Sequence, residues 1–324
     1  MNIFSFLRRR KPIPEPWAKY YTKEELNIKI PDISMYDQVK KSAHLYPNYI
    51  AYEYMGKKCL YKDFIEEINE WAKVFHSSGV KHGDIVTISL PNIPNVLVVL
   101  YALNKMGAIA NMVHPLSSEE EILFSLNSTK SKYLVMLNTF YNKIENVIGK
   151  SSVDAVIFAS AADYMPIYMK LFYNLSQIGK YKKYPKNNMY YSWKKFYKKY
   201  YVTNHIKFPK FCKDTPAVII HSGGTSGTPK NVVIQNRAFI LGALQENILM
   251  KNLHAGDCCL AIMPNFHGFG LSVLMHTPLA LGCYSILIPQ FDAKKFDIMF
   301  QKKKPSCVLG VPTLYEALIS NNNV

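Results

Sequence analysis

The sequence lacks the cysteine spacings that mark a zinc site or a dithiol redox centre. Its six cysteines are Cys59, Cys212, Cys258, Cys259, Cys283 and Cys307. None of them forms the Cys-x-x-Cys pair on which many such sites depend. Several fall in apolar segments, which is typical of reduced thiols in a cytosolic protein. The cysteines therefore indicate neither a metal site nor a disulfide framework.

Long apolar runs are also absent. No run approaches the roughly 20 residues that a membrane-spanning helix needs. Residues 1–10 have an apolar tip followed by Arg8-Arg9-Arg10, whereas a signal peptide carries its positive charges before its apolar run. We therefore expect a cytoplasmic protein.

Acidic residues are scarce. The 324 residues contain 39 Lys and Arg but only 23 Asp and Glu, which gives a formal net charge of +16. Such a charge suits polyanionic partners, namely nucleotides, coenzyme A, nucleic acid or an anionic membrane, without choosing among them. A biased genome composition would produce the same excess of lysine and tyrosine. Because 49% of the residues are hydrophobic, the chain can form a sizeable core and is not globally disordered.

Strand and helix patterns alternate along most of the chain, which predicts an α/β fold with doubly wound, largely parallel sheets covered by helices on both faces. We predict an irregular lead over residues 1–30, a first lobe over 31–160 and a second lobe over 214–324. A β-hairpin over residues 50–61 adds a small β element. Ligands of such folds bind beyond the carboxyl ends of the strands.

Residues 161–213 interrupt this alternation as a basic, tyrosine-rich insertion. Within it, residues 163–213 hold twelve lysines, ten tyrosines and one acidic residue. One interpretation is a solvated surface insertion. The other is a peripheral contact with an anionic membrane, at the inner membrane face, since lysine supplies charge and tyrosine an interfacial ring. No nucleic-acid-binding module is visible, so we expect no nucleic acid partner.

The segment Ser222–Lys230 is typical of an anion-binding loop. Its nine residues include three glycines and four hydroxyl side chains, and apolar strands are predicted on either side, at 217–220 and 232–234. Glycine allows backbone N–H groups to approach a phosphate closely, and Lys230 adds a positive charge. The spacing is not that of a Walker loop, which requires Gly-x-x-x-x-Gly-Lys-Ser/Thr before a helix.

Two further segments follow the loop in the chain. Residues 263–270, Met-Pro-Asn-Phe-His-Gly-Phe-Gly, come after a predicted strand and place His267 between aromatic and glycine residues. Residues 310–313, Gly-Val-Pro-Thr, end another strand. By itself each segment also fits an ordinary turn, with His267 capping the next helix.

Together these segments resemble the adenylate-forming, or AMP-binding, superfamily of acyl-CoA synthetases, luciferase-type enzymes and adenylation domains. Ser222–Lys230 is similar to the family's phosphate loop, residues 264–267 to its Pro-x-Phe-His motif, and residues 310–313 to its Val-Pro-Thr segment. Pro91-Asn92 is similar to part of its N-terminal pattern. The Ser-Gly-Gly-Thr form and the insertion at 161–213 make the chain most similar to bacterial fatty acyl-CoA synthetases.

The resemblance implies ATP-dependent activation of a carboxylic acid, as in a fatty acyl-CoA synthetase, with ATP, Mg²⁺ and coenzyme A taking part. It assigns His267 to the wall of the acyl/adenylate pocket. It assigns to the ATP phosphates Ser222, Gly223, Gly224, Thr225, Ser226, Gly227, Thr228 and Lys230. Lys230 either binds phosphate or mainly orders the loop.

The sequence departs from the family where its later motifs are expected. These are a Tyr-Gly-x-Thr-Glu motif whose glutamate helps to hold Mg²⁺, a ribose-binding aspartate, and a C-terminal domain with a catalytic lysine. The resemblance therefore implies an N-terminal region, and we expect this truncated chain alone to have low or no activity. The alternatives are a non-catalytic remnant that binds a nucleotide or acyl group, and an adenylation module that loads a carrier protein.

Overall fold

The computed structural model describes residues 15–222, 229–292 and 296–320. The chain divides into two compact units, residues 1–30 and residues 31–324. Every strand formed by the described residues belongs to the second unit.

The described part of the first unit contains two short helices. A 3₁₀ turn, Ala18–Tyr20, precedes the helix α1, Lys23–Leu26. Thr22 and Glu25 form a capping box, in which each side chain accepts a hydrogen bond from the other residue's backbone N–H. This cap satisfies two N–H groups that a helix start leaves without partners.

Strands and helices alternate through the second unit, as predicted. Its strands are β1 Ile50–Tyr54, β2 Lys57–Leu60, β3 Ile85–Ser89, β4 Ile109–Met112, β5 Tyr133–Leu137, β6 Ala155–Ala159, β7 Tyr190–Ser192, β8 Pro216–Ser222, β9 Lys230–Gln235, β10 Cys258–Ala261 and β11 Tyr284–Leu287. Its α-helices are α2 Met35–Leu45, α3 Tyr61–Ser77, α4 Pro94–Met106, α5 Glu119–Thr129, α6 Ile167–Ser176, α7 Trp193–Tyr200, α8 Asn236–Leu249, α9 Thr277–Ala280, α10 Phe296–Lys303 and α11 Pro312–Ile319. A π-helical segment, Phe269–His276, runs directly into α9.

A seven-stranded sheet forms the larger layer. Its strand order is β7-β6-β5-β3-β4-β8-β9, and each neighbouring pair is parallel except β8 and β9. Helix α4 connects β3 to β4, and α5 connects β4 to β5, which supplies the crossovers that parallel pairing requires. The prediction of a doubly wound, largely parallel sheet is confirmed.

Both faces of this sheet are buried. Successive side chains of a strand point to opposite faces, so a single strand contributes to the packing on each side. In β6, Val156 and Phe158 pack into one apolar cluster and Ile157 into the other. Leu126 of α5 belongs to the first cluster and Leu100 of α4 to the second. Helices therefore cover both faces, as the sequence predicted.

A smaller sheet combines strands from both halves of the chain. Its order is β10-β11-β1-β2, with β1 and β2 antiparallel and the other pairs parallel. Conversely, β8 and β9 extend the larger sheet, most of which precedes them in the chain. Strand pairing thus crosses the boundary that we predicted between the lobes 31–160 and 214–324, because parallel pairing joins strands that are far apart in sequence.

Part of the lysine- and tyrosine-rich segment 161–213 belongs to the core. Strand β7 forms one edge of the larger sheet, and α7 buries Trp193 and Phe196. The ring of Trp193 stacks on Trp71 of α3, with centroids 3.7 Å apart. The lysines of α7 are exposed. Helix α7 is therefore amphipathic, and only part of segment 161–213 is a solvated surface insertion.

Candidate active site

The predicted phosphate loop is carried by the β8–β9 hairpin at one edge of the larger sheet. Ser222 ends β8 and pairs with Lys230, which begins β9. Both residues are exposed. The other predicted phosphate-binding residues, which lie outside the described residues, are Gly223, Gly224, Thr225, Ser226, Gly227 and Thr228. The hairpin therefore brings the two described ends of the loop together at the carboxyl end of β8.

A cavity of about 210 Å³ adjoins the base of this loop. Ser222 and Pro229 line it on the side of the loop. Met112 at the carboxyl end of β4, His114 and Phe266 contribute other parts of the wall. Ligands of open α/β sheets bind beyond the carboxyl ends of the strands, so this cavity is the candidate active site.

His221 stands directly before Ser222 and is fixed by a polar network inside the sheet. Its Nε2 lies 2.7 Å from Oδ1 of Asn111 and 3.0 Å from Oγ of Ser125. Asn111 in turn donates through Nδ2 to Oγ1 of Thr87 at 2.8 Å and to Oγ of Ser125 at 2.9 Å. The network therefore ties the entry of the loop to β3, β4 and α5.

The same network determines the protonation state of His221. The amide oxygen of Asn111 can only accept a hydrogen bond, so Nε2 of His221 carries a proton and donates. Burial lowers the pKa of His221 below its ordinary value, and a hydrogen bond with Asn231 acts in the opposite direction. His221 is therefore neutral at neutral pH, and Lys230 supplies the positive charge at the described ends of the loop.

Sequence reasoning missed Asn111, Ser125 and His114. The available signal was a polar residue, Asn111, in the middle of an otherwise apolar strand. His114 follows the same strand, and its ring lies 4.1 Å from the ring of Phe266, measured between centroids. Its Nδ1 accepts a hydrogen bond from the backbone N–H of Leu116 at 2.8 Å. Burial lowers the pKa of His114.

Two asparagines bind the Pro-Asn-Phe-His turn to the first half of the chain. Nδ2 of Asn92 donates to the carbonyl oxygens of Ala261 and Met263 at 2.8 and 2.9 Å. Nδ2 of Asn265 donates to the carbonyl oxygen of Leu90 at 2.8 Å and to Oδ1 of Asn92 at 3.0 Å. Oδ1 of Asn92 also accepts from the backbone N–H of Asn265 at 3.1 Å. These bonds fix the part of the cavity wall that comes from the second half of the chain.

His267 belongs to this turn, but its side chain is exposed. Its Nδ1 accepts a hydrogen bond at 3.3 Å from the backbone N–H of Phe269, the first residue of the π-helical segment. Phe266, rather than His267, is the residue of this turn that lines the cavity. A role for His267 in the acyl pocket stays a prediction.

The described side chains do not form a magnesium site. Within residues 15–222, 229–292 and 296–320, no group of three or more His, Cys, Asp or Glu is placed to hold a metal ion. Glu121 lines the cavity, but its carboxylate accepts a hydrogen bond from the backbone N–H of Ser118 at 2.9 Å and caps α5. Because Mg²⁺ requires octahedral coordination by oxygen atoms, these residues do not fit the ion by themselves.

Comparison with known proteins assigns this chain to a family. The sequence matches the family described as AMP-binding enzyme over residues 39–324. The chain belongs to the AMP-binding enzyme family. The resemblance inferred from the loop and the two later segments is thereby confirmed.

The relatives of this chain include two bacterial ligases. The long-chain-fatty-acid–CoA ligase of Bacillus subtilis (strain 168) is 27% identical over 312 residues, which cover 94% of this chain and 55% of the relative. The long-chain-fatty-acid–CoA ligase of Escherichia coli O157:H7 is 25% identical over 296 residues, covering 89% of this chain and 52% of the relative. The chain thus spans about half the length of these curated relatives.

Solved structures share the fold. A putative long-chain-fatty-acid CoA ligase from Rhodopseudomonas palustris CGA009 superimposes with a TM-score of 0.74 at 18% identity, covering 89% of this chain and 65% of the other. An anthranilate CoA ligase in complex with anthranoyl-AMP gives a TM-score of 0.73 at 17% identity, covering 90% of this chain and 52% of the other. The chain therefore has the α/β architecture of these CoA ligases.

Proposed function

We propose that this chain takes part in the ATP-dependent ligation of a carboxylic acid to coenzyme A. The observation that carries the proposal is the β8–β9 hairpin, which holds Ser222 and Lys230 side by side next to a cavity at the carboxyl end of the sheet. Family membership and the names of the relatives as CoA ligases support this reaction class. We propose a fatty acid as the substrate, because the bacterial relatives bear that name and apolar side chains form part of the cavity wall.

The proposed reaction has two steps. A carboxylate oxygen of the acid attacks the α-phosphorus of ATP, and pyrophosphate leaves with the electrons of the broken P–O bond. The sulfur of coenzyme A then attacks the carbonyl carbon of the acyl-adenylate, its thiol proton is released, and AMP leaves. Transfers of this kind depend on positioning and on the stabilisation of developing charge.

The loop residues are proposed to bind the ATP phosphates. The hydroxyl groups of Ser222, Thr225, Ser226 and Thr228 and the backbone N–H groups of Gly223, Gly224 and Gly227 would donate hydrogen bonds. Lys230 would contribute charge as a compact ammonium group. We propose that His267 forms part of the acyl pocket. Mg²⁺ would accompany the ATP, held by phosphate oxygens rather than by the described side chains.

His221 is proposed to act as a positioning residue. It donates to Asn111 within the sheet and stands one residue before Ser222, so it would hold the end of β8 from which the loop begins. A neutral imidazole suits this role, because its hydrogen bonds keep one tautomer. Variants of His221 should therefore weaken ATP binding through loop geometry.

ATP binding by the 324-residue chain tests the phosphate role. Isothermal titration calorimetry should show Lys230→Ala binding ATP about tenfold more weakly than the wild type, since a charge-assisted hydrogen bond is lost. Lys62→Ala, an exposed lysine on α3, serves as the control and should bind like the wild type. Unchanged affinity in a Lys230→Ala/Thr225→Val double variant would overturn the phosphate role.

Pyrophosphate release tests the reaction and its substrate class. The chain, and a longer form if the gene encodes one, would be supplied with ATP and a panel of fatty and aromatic acids, with and without coenzyme A. We expect the highest rate with a fatty acid. Release that is independent of any acid would contradict acid activation, and a preference for aromatic acids would contradict the proposed substrate.

A further inference from the structure

Helix α6 leaves a broad apolar face in solvent. None of its ten residues is buried. The exposed apolar side chains, with exposed fractions of 81, 63, 62, 72 and 65%, are Ile167, Tyr168, Leu171, Phe172 and Leu175. Ile178, just beyond the helix, is 74% exposed. We call these six residues the α6 apolar face. Contiguous exposed apolar surface of this kind marks an interaction site.

The geometry of the helix separates this face from the core. At about 100° per residue, the five helical members span an arc of about 140°. Met169 and Tyr173 lie outside that arc and pack against the apolar core. The helix is therefore anchored on one side and presents the other side outward, as an interfacial helix does.

Several lysines come directly after the α6 apolar face in the sequence. Lys180, Lys182, Lys183 and Lys186 lie within eight residues of Ile178, and Lys182 pairs with Glu145. Carboxylates of α3, together with Asp163 just before α6, line a separate cavity of about 460 Å³. Lys170 is the only α6 residue that lines that cavity, so the acidic groups flank the helix rather than interrupt its apolar face.

We propose that the α6 apolar face docks on the surface of an anionic lipid bilayer. The apolar side chains would enter the boundary between headgroups and acyl chains, and the lysines that follow would contact anionic headgroups. No described helix is long and apolar enough to cross a bilayer, so this contact lies on the membrane. A second copy of the chain fits less well, because a twofold interface would bring the lysines of both copies together.

Helix α6 contributes no residue to the lining of the candidate active-site cavity. The helix lies between β6 and β7 in the chain, and these strands form the edge of the larger sheet opposite to β9. Strands β8 and β9, which carry the described ends of the predicted phosphate loop beside the 210 Å³ cavity, are at the other end of the strand order. Docking through α6 is therefore compatible with access of a ligand to the cavity, and it does not depend on the proposed reaction.

Vesicle sedimentation with matched variants tests the proposal. The 324-residue chain would be mixed with phosphatidylcholine vesicles that contain or lack phosphatidylglycerol. We expect binding only to the anionic vesicles, with release at high salt because the lysine contribution is screened. The variant Leu171→Gln/Leu175→Gln, which keeps good helix formers on an exposed surface, should bind about tenfold more weakly. The control Leu249→Gln removes a leucine that is 66% exposed on α8 and should bind like the wild type.

Three other outcomes would overturn the docking proposal. Equal vesicle binding by the wild type and the α6 double variant would show that the face is not used. Equal losses in the α6 double variant and in Leu249→Gln would show that the effect is not specific to α6. A wild-type dimer that becomes a monomer in the double variant, without vesicle binding, would assign the face to a second copy. Melting curves of all variants verify that each is folded.

Discussion

The imidazole Nε2 of His221 lies 2.7 Å from Oδ1 of Asn111, although 110 residues separate the two in sequence. They stand on the neighbouring parallel strands β8 and β4, beside the candidate active site. Asn111 is completely buried, so its amide has little access to water as an alternative partner. The end of β8, from which the predicted phosphate loop begins, is therefore held by hydrogen bonds from within the sheet.

Asn111→Leu should destabilise the protein. The change removes the acceptor of His221 and a donor to Thr87, whose hydroxyl is completely buried. We expect the free energy of unfolding to fall by about 1–3 kcal/mol, measured by urea denaturation. Asn187→Ala, at an exposed asparagine, is the control and should change it by less than about 0.5 kcal/mol. A value for Asn111→Leu within that control range would contradict the role of the network.

Two glycines that follow the Pro-Asn-Phe-His turn should differ sharply in their tolerance of alanine. A Cβ atom at Gly270 would lie 2.1 Å from the carbonyl oxygen of Pro264, whereas at Gly268 the nearest atom is Cδ1 of Ile220 at 3.9 Å. We expect Gly270→Ala to lower the free energy of unfolding by about 1–3 kcal/mol, since backbone must shift. Gly268→Ala should be nearly neutral. Similar melting temperatures for the two variants would show that the turn is not tightly packed.

Local patterns predicted much of this fold. The apolar segments at 217–220 and 232–234 correspond to β8 and β9, and the glycine- and hydroxyl-rich segment between them matches the hairpin connection. The hairpin of β1 and β2 and the alternation of strands and helices are also as predicted. These features depend on side-chain periodicity and turn residues over short distances, which a single sequence records directly.

Long-range contacts were not predictable in the same way. The pairing of β1 with β11 joins residues more than 200 positions apart, and the sequence of neither strand identifies the other as its partner. The lysines of α7 concealed the spacing of Trp193 and Phe196, which pack on α3. At the candidate site, the motif drew attention to His267, whereas the cavity wall contains His114 and Phe266. Which side chain of a motif reaches a cavity depends on tertiary packing.

Glu246 on α8 should make stability depend on pH. Its Oε2 is buried and has no hydrogen-bond partner among the described residues. Burial raises its pKa from 4.5 to about 7. Between these values the folded state binds more protons than the unfolded state, so the free energy of unfolding decreases as pH rises through this window.

Glu246→Gln should remove this decrease, because glutamine does not ionise. We expect the free energy of unfolding of the variant minus that of the wild type to be about 1–2 kcal/mol larger at about pH 8 than at about pH 5. This magnitude allows for partial exposure of the carboxyl group. Urea denaturation at several pH values would measure the difference. Glu120→Gln, at an exposed position in α5, should keep the wild-type pH profile. Parallel profiles for the wild type and Glu246→Gln would contradict a raised pKa.

Phe266 should contribute directly to ligand affinity. Its ring lines the candidate cavity and packs against His114, so Phe266→Ala removes apolar cavity wall. We expect a non-hydrolysable fatty acyl-adenylate analogue to bind about tenfold more weakly, as measured by calorimetry. Phe300→Ala removes a partly exposed ring from α10 that does not line this cavity, and it should leave the affinity unchanged. A loss confined to Phe266→Ala would locate the ligand at this cavity, whereas equal affinities would place the adenylate elsewhere on the chain.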